Sequence, residues 1–297
     1  MNKILVILVT ALLFGCQRSP EPESEAAAEQ ATAPVVEAIS LAEVLAAQPE
    51  DVQARYRHRH PQETIEFFGI EPGMTVVEGL PGSGWYTRLL LPYLGSEGHL
   101  IGANYAMDMW PNFPFADEEF MKTQSTWVTD WPVDAEEWRG NAGATVAAFN
   151  FGSMPADMNG TADVVFFPRV LHNLARYESK GGFLTAALAD AYAVLKPGGI
   201  FGVVQHHARD EMSDEFADGS HGYLKKSFII AAAENAGFEF VAESDVNANP
   251  ADQPTEEDVV WRLPPTLAAS RDDPELQAEL EAIGESNRMT LKFRKPE

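Results

Sequence analysis

The run Val76-Val77-Glu78-Gly79-Leu80-Pro81-Gly82-Ser83-Gly84-Trp85-Tyr86-Thr87 carries the strongest chemical signal in the chain. An apolar pair ends on an acid, and Gly82 and Gly84 follow, spaced by one residue. Such glycines let the backbone approach a ligand, because no Cβ intervenes and positive φ is open to them. Leu89-Leu90-Leu91 then resumes a helical pattern, so the turn runs into a helix N-terminus. The unpaired N–H groups and partial positive charge there suit an anionic ligand group. Strand, glycine turn and helix in this order form the ligand crevice of nucleotide-binding α/β sheets.

Groups able to move protons fall after later apolar runs. His172 closes Phe167-Pro168-Arg169-Val170-Leu171-His172-Asn173, and an imidazole titrates near neutrality, so it can take a proton from a nucleophile. The alternative for His172 is a hydrogen-bonded structural histidine. His206 and His207 follow another apolar run, and His221 with Tyr223 follows an acidic stretch. A metal held by His206, His207 and Asp210 is not expected, since adjacent side chains on a strand point to opposite faces. Glu78 either positions a ligand through the loop backbone or caps nearby N–H groups. Trp85, Tyr86 and Phe151 are each open to two readings, ligand wall or core.

These residues need a scaffold, and the hydrophobic pattern supplies one. Strands are expected at 74–78, 99–104, 144–149, 162–167, 200–205, 238–243 and 289–294. Helices are expected at 40–48, capped by Ser40, after Pro61, at 87–94, at 183–195 and at 226–236. Strands alternating with helices at this spacing give a mainly parallel sheet with helices on both faces. The Trp-, Phe- and Pro-rich stretch 109–138 has no clear period and reads as a lid or a substrate wall.

The 297 residues carry 21 Lys and Arg against 45 Asp and Glu, a formal net charge of -24. That argues against nucleic acid and against peripheral binding to anionic lipid, both of which want a basic face. Arg55, Arg57 and Arg59 with His58 and His60 form the only basic cluster. Met1-Asn2-Lys3 precedes a short apolar run that ends at Gly15-Cys16, the pattern of an export signal too short to span a bilayer. Leu13-Phe14-Gly15-Cys16 resembles a bacterial lipobox, Phe14 standing where a smaller residue is usual. The resemblance implies cleavage before Cys16 and lipidation of its thiol. With Gln17 following, it implies the periplasmic face of the outer membrane. Cys16 is the only cysteine, so no disulfide or cysteine ligand is available to the mature chain. The expected organisation is a signal at 1–16, an acidic flexible tether at 17–39 and one domain at 40–297.

Three further motifs fall into a recognisable order after the glycine loop: Ala162-Asp163-Val164-Val165-Phe166-Phe167, Leu195-Lys196-Pro197-Gly198-Gly199-Ile200-Phe201, and Ala236-Gly237-Phe238 before a strand. Over residues 51–297 the chain resembles the class I S-adenosylmethionine-dependent methyltransferases. Gly69-Ile70-Glu71-Pro72-Gly73-Met74, the loop from Pro81 to Thr87 and Leu291-Lys292-Phe293-Arg294-Lys295-Pro296 resemble, more narrowly, a bacterial group of predicted exported methyltransferase-like proteins. The resemblance implies a Rossmann-like sheet of seven mainly parallel strands with an antiparallel last strand. It implies S-adenosylmethionine as cofactor and methyl transfer to a small-molecule acceptor. It places Glu78 at the cofactor's methionine part, Pro81, Gly82, Gly84, Trp85 and Tyr86 in the cofactor-binding loop, Asn104 at the ribose, and Asn150 and Phe151 at the adenine. Arg169 joins the cofactor-binding set, and His172 and Tyr223 are the catalytic candidates.

The chain departs from the family at two points. The usual loop has glycines two, four and six residues after the acid, where this chain has Leu80, Gly82 and Gly84. The usual ribose-binding acid gives way to Asn104, with Asp108 as a substitute nearby, and an amide lacks the charge-assisted bond. These departures keep a second reading open, a lipid-anchored, catalytically degenerate binding protein on the same fold. A nicotinamide-dependent oxidoreductase is disfavoured, since Thr87 rather than glycine stands three residues after Gly84.

Overall fold

The computed structural model describes residues 39–140 and 142–297; the signal, Cys16 and the tether up to residue 38 lie outside them. Four short helices come first: α1 (Leu41–Ala46), α2 (Glu50–Gln53), α3 (Tyr56–Arg59) and α4 (Pro61–Phe68). Ser40 opens α1 through a capping box with Glu43, and Pro61 fills the first position of α4, where no N–H is needed. The central units are β1 (Thr75–Gly79), α5 (Thr87–Leu94), β2 (His99–Asn104), α6 (Glu118–Arg139), β3 (Thr145–Asn150) and β4 (Ala162–Pro168). Next come α7 (Leu171–Arg176), α8 (Glu178–Gly181), α9 (Phe183–Val194) and β5 (Leu195–Ala208). The chain closes with β6 (Leu224–Lys225), α10 (Lys226–Asn235), β7 (Glu239–Ser244), α11 (Pro274–Ile283) and β8 (Arg288–Arg294).

The sheet runs β3-β2-β1-β4-β5-β8-β7, with the two-residue β6 added beside the end of β5. β1 to β5 pair in parallel, and β8 runs antiparallel to both β5 and β7. This is the expected Rossmann-like sheet with an antiparallel last strand, with eight strands instead of seven because of β6. Alternate residues feed two cores. Val77, Val165, Phe167, Phe201 and Phe293 face α9 and α10, while Val76, Leu100, Val164 and Phe166 face α4 and α5. The strand order reverses between β1 and β4, so their carboxyl ends splay apart and open a crevice there.

Residues 109–138, which the sequence pattern leaves unassigned, supply the β2–β3 crossover. Parallel neighbours need such a connection, and α6 is it. Asp117 starts the helix by accepting from Phe120 N at 2.8 Å, and Glu118 and Glu119 suit its positive end. Pro132 sits inside it, and only Trp131 and Ala135 are buried, so neither propensity nor period announces the helix. Trp131 packs onto β2 at Gly102, where a Cβ would stand 2.6 Å from the indole. β5 also differs from expectation. It spans Leu195–Ala208 and passes through Lys196-Pro197-Gly198-Gly199 with a register shift against β4.

Candidate functional site

The turn after β1 sets the site. Leu80 adopts φ +50°, a conformation that favours glycine, and its N–H donates to Ala103 O at 2.7 Å. The left-handed turn is therefore kept without the glycine, at a strain of roughly 1–2 kcal/mol. Gly82 has φ +57°, and a Cβ there would meet nothing nearer than Leu80 O at 3.8 Å. Its open side faces the cleft. Gly84 differs: a Cβ on it would strike the Trp138 ring at 2.4 Å. Its small size serves packing against α6, not approach to a ligand.

Glu78 is 1% exposed and accepts from Thr87 Oγ1 at 2.7 Å, so it ties β1 to the start of α5 and lines neither half of the cleft. Burial pushes its carboxyl up to about 7, against the Thr87 hydrogen bond and the nearby Arg169 charge, which lower it. Tyr86 is core, edge-on to both Trp85 and Phe166. Trp85 reaches the cleft wall beneath Arg59, whose guanidinium lies 4.4 Å from the indole centroid.

The cleft has two halves that share Leu80, Pro81, Gly82, Asn173, Trp261 and Thr266. The larger, about 890 Å³, lies over the ends of β1 and β2 under α6. Tyr105, Trp110, Phe113, Phe120, Trp127 and Trp131 give it an aromatic wall. Asn104 sits at its base, donating from Nδ2 to Gln124 Oε1 at 3.0 Å and accepting from Tyr105 N at 2.9 Å. Asp108 is exposed and lines neither half.

The smaller half, about 360 Å³, lies over the ends of β4 and β5. Its charge is the opposite of the chain's. Arg55 Nε and Arg59 Nε reach the two Glu285 oxygens at 2.6 and 3.2 Å, and Arg288 Nη2 also binds Glu285. Although burial pushes the Glu285 carboxyl up, Arg288, Arg59 and Arg55 hold it down at about 2. Arg169 completes the cluster from an uncommon backbone conformation, φ +65°, fixed by its N–H donating to Val204 O. Burial lowers its guanidinium to about 10.

His172 and His206 form the floor of this half, their rings 5.5 Å apart. Burial holds His172 at about 4, so the ring is neutral at pH 7. Gln205 Nε2 donates to Gly222 O at 3.1 Å and faces His172 Nδ1 at 3.4 Å. With Gln205 Nε2 donating to Nδ1, the ring proton sits on Nε2, and burial leaves His172 a weak base. His206 Nδ1 pairs with Ser286 Oγ at 2.6 Å.

Other expected site residues fall elsewhere. Tyr223 is fully buried behind His206, and its hydroxyl donates to the Asp252 carboxylate at 3.1 Å. Asp252 also accepts from Arg262 and from Asn287 N, so Tyr223 pins the final loops in place and lines neither half of the cleft. Phe151 is core, packed on Phe149 and Phe167. Asn150 lines neither half, and its Oδ1 is buried without a hydrogen-bond partner among the described residues. His207 points away from His206 and is half-buried, and no cluster of three metal-ligating side chains occurs among the described residues. No sequence motif marks Gln124, Asn173, Trp261, Glu285 or Arg288 for the site. Only the arginine cluster at 55–59 left a visible signal, a basic run in an acidic chain.

No family model and no curated protein matches the chain. Solved structures do. An S-adenosylmethionine-dependent methyltransferase from Aquifex aeolicus is 16% identical, with 70% of this chain and 94% of that one covered at a TM-score of 0.45. An arsenic(III) S-adenosylmethionine methyltransferase from Chlamydomonas reinhardtii is 16% identical, covering 86% and 73% at 0.43. Geranyl diphosphate C-methyltransferase from Streptomyces coelicolor A3(2) is 13% identical, covering 85% and 87% at 0.47. At these similarities none of them speaks to the chemistry of this chain.

Proposed function

We propose that the protein transfers a methyl group from S-adenosylmethionine to a small-molecule acceptor. The observation that carries the reading is the cleft at the β1/β4 reversal, rimmed by an open, left-handed Gly82 and joining an aromatic half to a polar one. The residues fit such a cofactor. The aromatic wall suits a purine and a sulfonium, the latter through cation–π attraction. The Asn104–Gln124 amide pair stands at the end of β2, where a ribose belongs in sheets of this kind. When bound, the cofactor supplies an electrophilic methyl group. The protein's own part is to place the acceptor in line in a cleft from which aromatic side chains exclude water. Burial makes His172 a weak base, so the reading favours an acceptor that is already a good nucleophile.

The antiparallel β8 between β5 and β7 disfavours an all-parallel dinucleotide fold. The amino-terminal sequence supports export and lipid attachment at Cys16, with the domain facing the periplasm. The second reading, a binding protein without catalysis, draws on Asn104, whose amide is already committed to Gln124 and Tyr105.

Trp110, Trp127 and Trp131 all line the large half, so their emission reports its occupancy. Titration with S-adenosylmethionine should quench it saturably. Unchanged emission up to roughly 1 mM ligand, where binding is worth only about 4 kcal/mol, would count against the assignment.

A further inference from the structure

The chain carries a formal charge of -24, yet the small half of its cleft gathers Arg55, Arg59, Arg169 and Arg288 around one carboxylate, Glu285. Three guanidiniums share that carboxylate, and the fourth, Arg169, hydrogen-bonds to no carboxylate among the described residues, so among the residues lining this half four cations face one anion. Concentrated positive charge with too few partners is costly away from bulk water. The donors are also unspent. Arg59 is 4% exposed, and its Nη1 has no hydrogen-bond partner among the described residues; the same holds for Arg169 Nη1. Both residues line the cavity. Glu285 ties α3 to the start of β8, but that structural task uses only one edge of the Arg59 guanidinium and none of Arg169. Arg169 holds φ +65° with its N–H donating to Val204 O, while its guanidinium makes no hydrogen bond among the described residues.

We propose that this half of the cleft is an oxyanion site, in which Arg59 and Arg169 bind the carboxylate or phosphate end of a small-molecule ligand. Guanidinium groups meet such planar or tetrahedral anions with paired, charge-assisted hydrogen bonds. Ser286 and the neutral His172 add polar groups at the same wall. Trp85 and Trp261 close it on the apolar sides and screen the charges from solvent. The anion has two sources: the amino-acid carboxylate of the proposed cofactor, or an acidic group on the acceptor. The site itself stands on the arginine geometry and does not depend on which one it is.

The test uses inorganic phosphate on the full chain, with chloride at matched ionic strength as reference. Phosphate should raise the thermal unfolding midpoint in a saturable way, and Arg169→Gln should bind it about tenfold more weakly. In chloride, Arg169→Gln should be at least as stable as the parent, because it removes an unpaired charge. Arg55→Gln, at a more exposed edge, gives a second variant and should weaken phosphate in the same direction. No phosphate effect beyond ionic strength, or the same phosphate affinity in the parent and in both variants, would overturn the site. A second titration then finds the source. If Arg169→Gln weakens S-adenosylmethionine but not 5′-methylthioadenosine, which lacks the carboxylate, the cofactor supplies the anion. If neither changes while phosphate binding falls, the acceptor does. Failure of S-adenosylmethionine to bind at all would remove the cofactor reading and leave the phosphate result standing.

Discussion

Gly82→Val is expected to weaken S-adenosylmethionine binding at least 100-fold, about 2.7 kcal/mol, while the protein stays folded. Gly82 holds φ +57° at the rim common to both halves of the cleft, and nothing in the protein occupies the space its Cβ would take. A β-branched side chain is strained at that angle and would project into the path of the ligand. Leu80 shows that the turn tolerates one non-glycine residue at positive φ, so the fold should survive a second. Gly84→Ala gives the contrast. Its Cβ would meet Trp138 rather than ligand, so it should lower the unfolding midpoint far more than it lowers affinity. Affinity by titration and stability by thermal unfolding separate the two. Unchanged affinity in Gly82→Val would remove the loop from the site.

The second large effect concerns Glu78. Its carboxyl is raised from the usual 4.5 to about 7, chiefly by burial, so the native state binds its proton more tightly than the unfolded chain does. Its contribution is fully present below the unfolded value of 4.5 and is lost as pH rises through about 7. The loss is about 3 kcal/mol. Glu78→Gln keeps the acceptor for Thr87 and cannot ionise. The variant should match the parent near pH 4 and exceed it by about 3 kcal/mol at pH 8 and above, in denaturant titrations at each pH. A variant less stable than the parent at pH 8 would mean that Glu78 is ionised in the native state and stabilised by Arg169.

Much of the scaffold was legible in the sequence because its period is strong. The expected 87–94 and 99–104 coincide with α5 and β2, and β1, β3, β4, α9, α10, β7 and β8 fall within a residue or two. α6 was not legible from its own residues. Trp131 and Ala135 are its only buried positions, and Pro132 argues locally against a helix. It was implied one level up, since β2 and β3 run parallel and a crossover has to join them. The loop's position was visible, but the division of labour within it was not. Gly82 faces the cleft and Gly84 faces Trp138, and sequence alone treats the two alike. His172 lines the small half of the cleft. Its tautomer depends on Gln205 and Gly222, which no spacing rule connects to it. The cationic half was the least visible. Arg59 and Glu285 lie 226 positions apart, and only the tertiary fold brings them together.

In the proposed function, one cleft rimmed by Pro81 and Gly82 holds S-adenosylmethionine. Calorimetric titration of the purified chain from residue 17 onward, with S-adenosylmethionine and S-adenosylhomocysteine, tests it most directly. The expected result is one site for each ligand in the micromolar range, about -8 kcal/mol, lost in Gly82→Val. Absence of binding to both, with the protein folded and the phosphate response intact, would contradict it and leave an anion-binding protein on a methyltransferase-like fold.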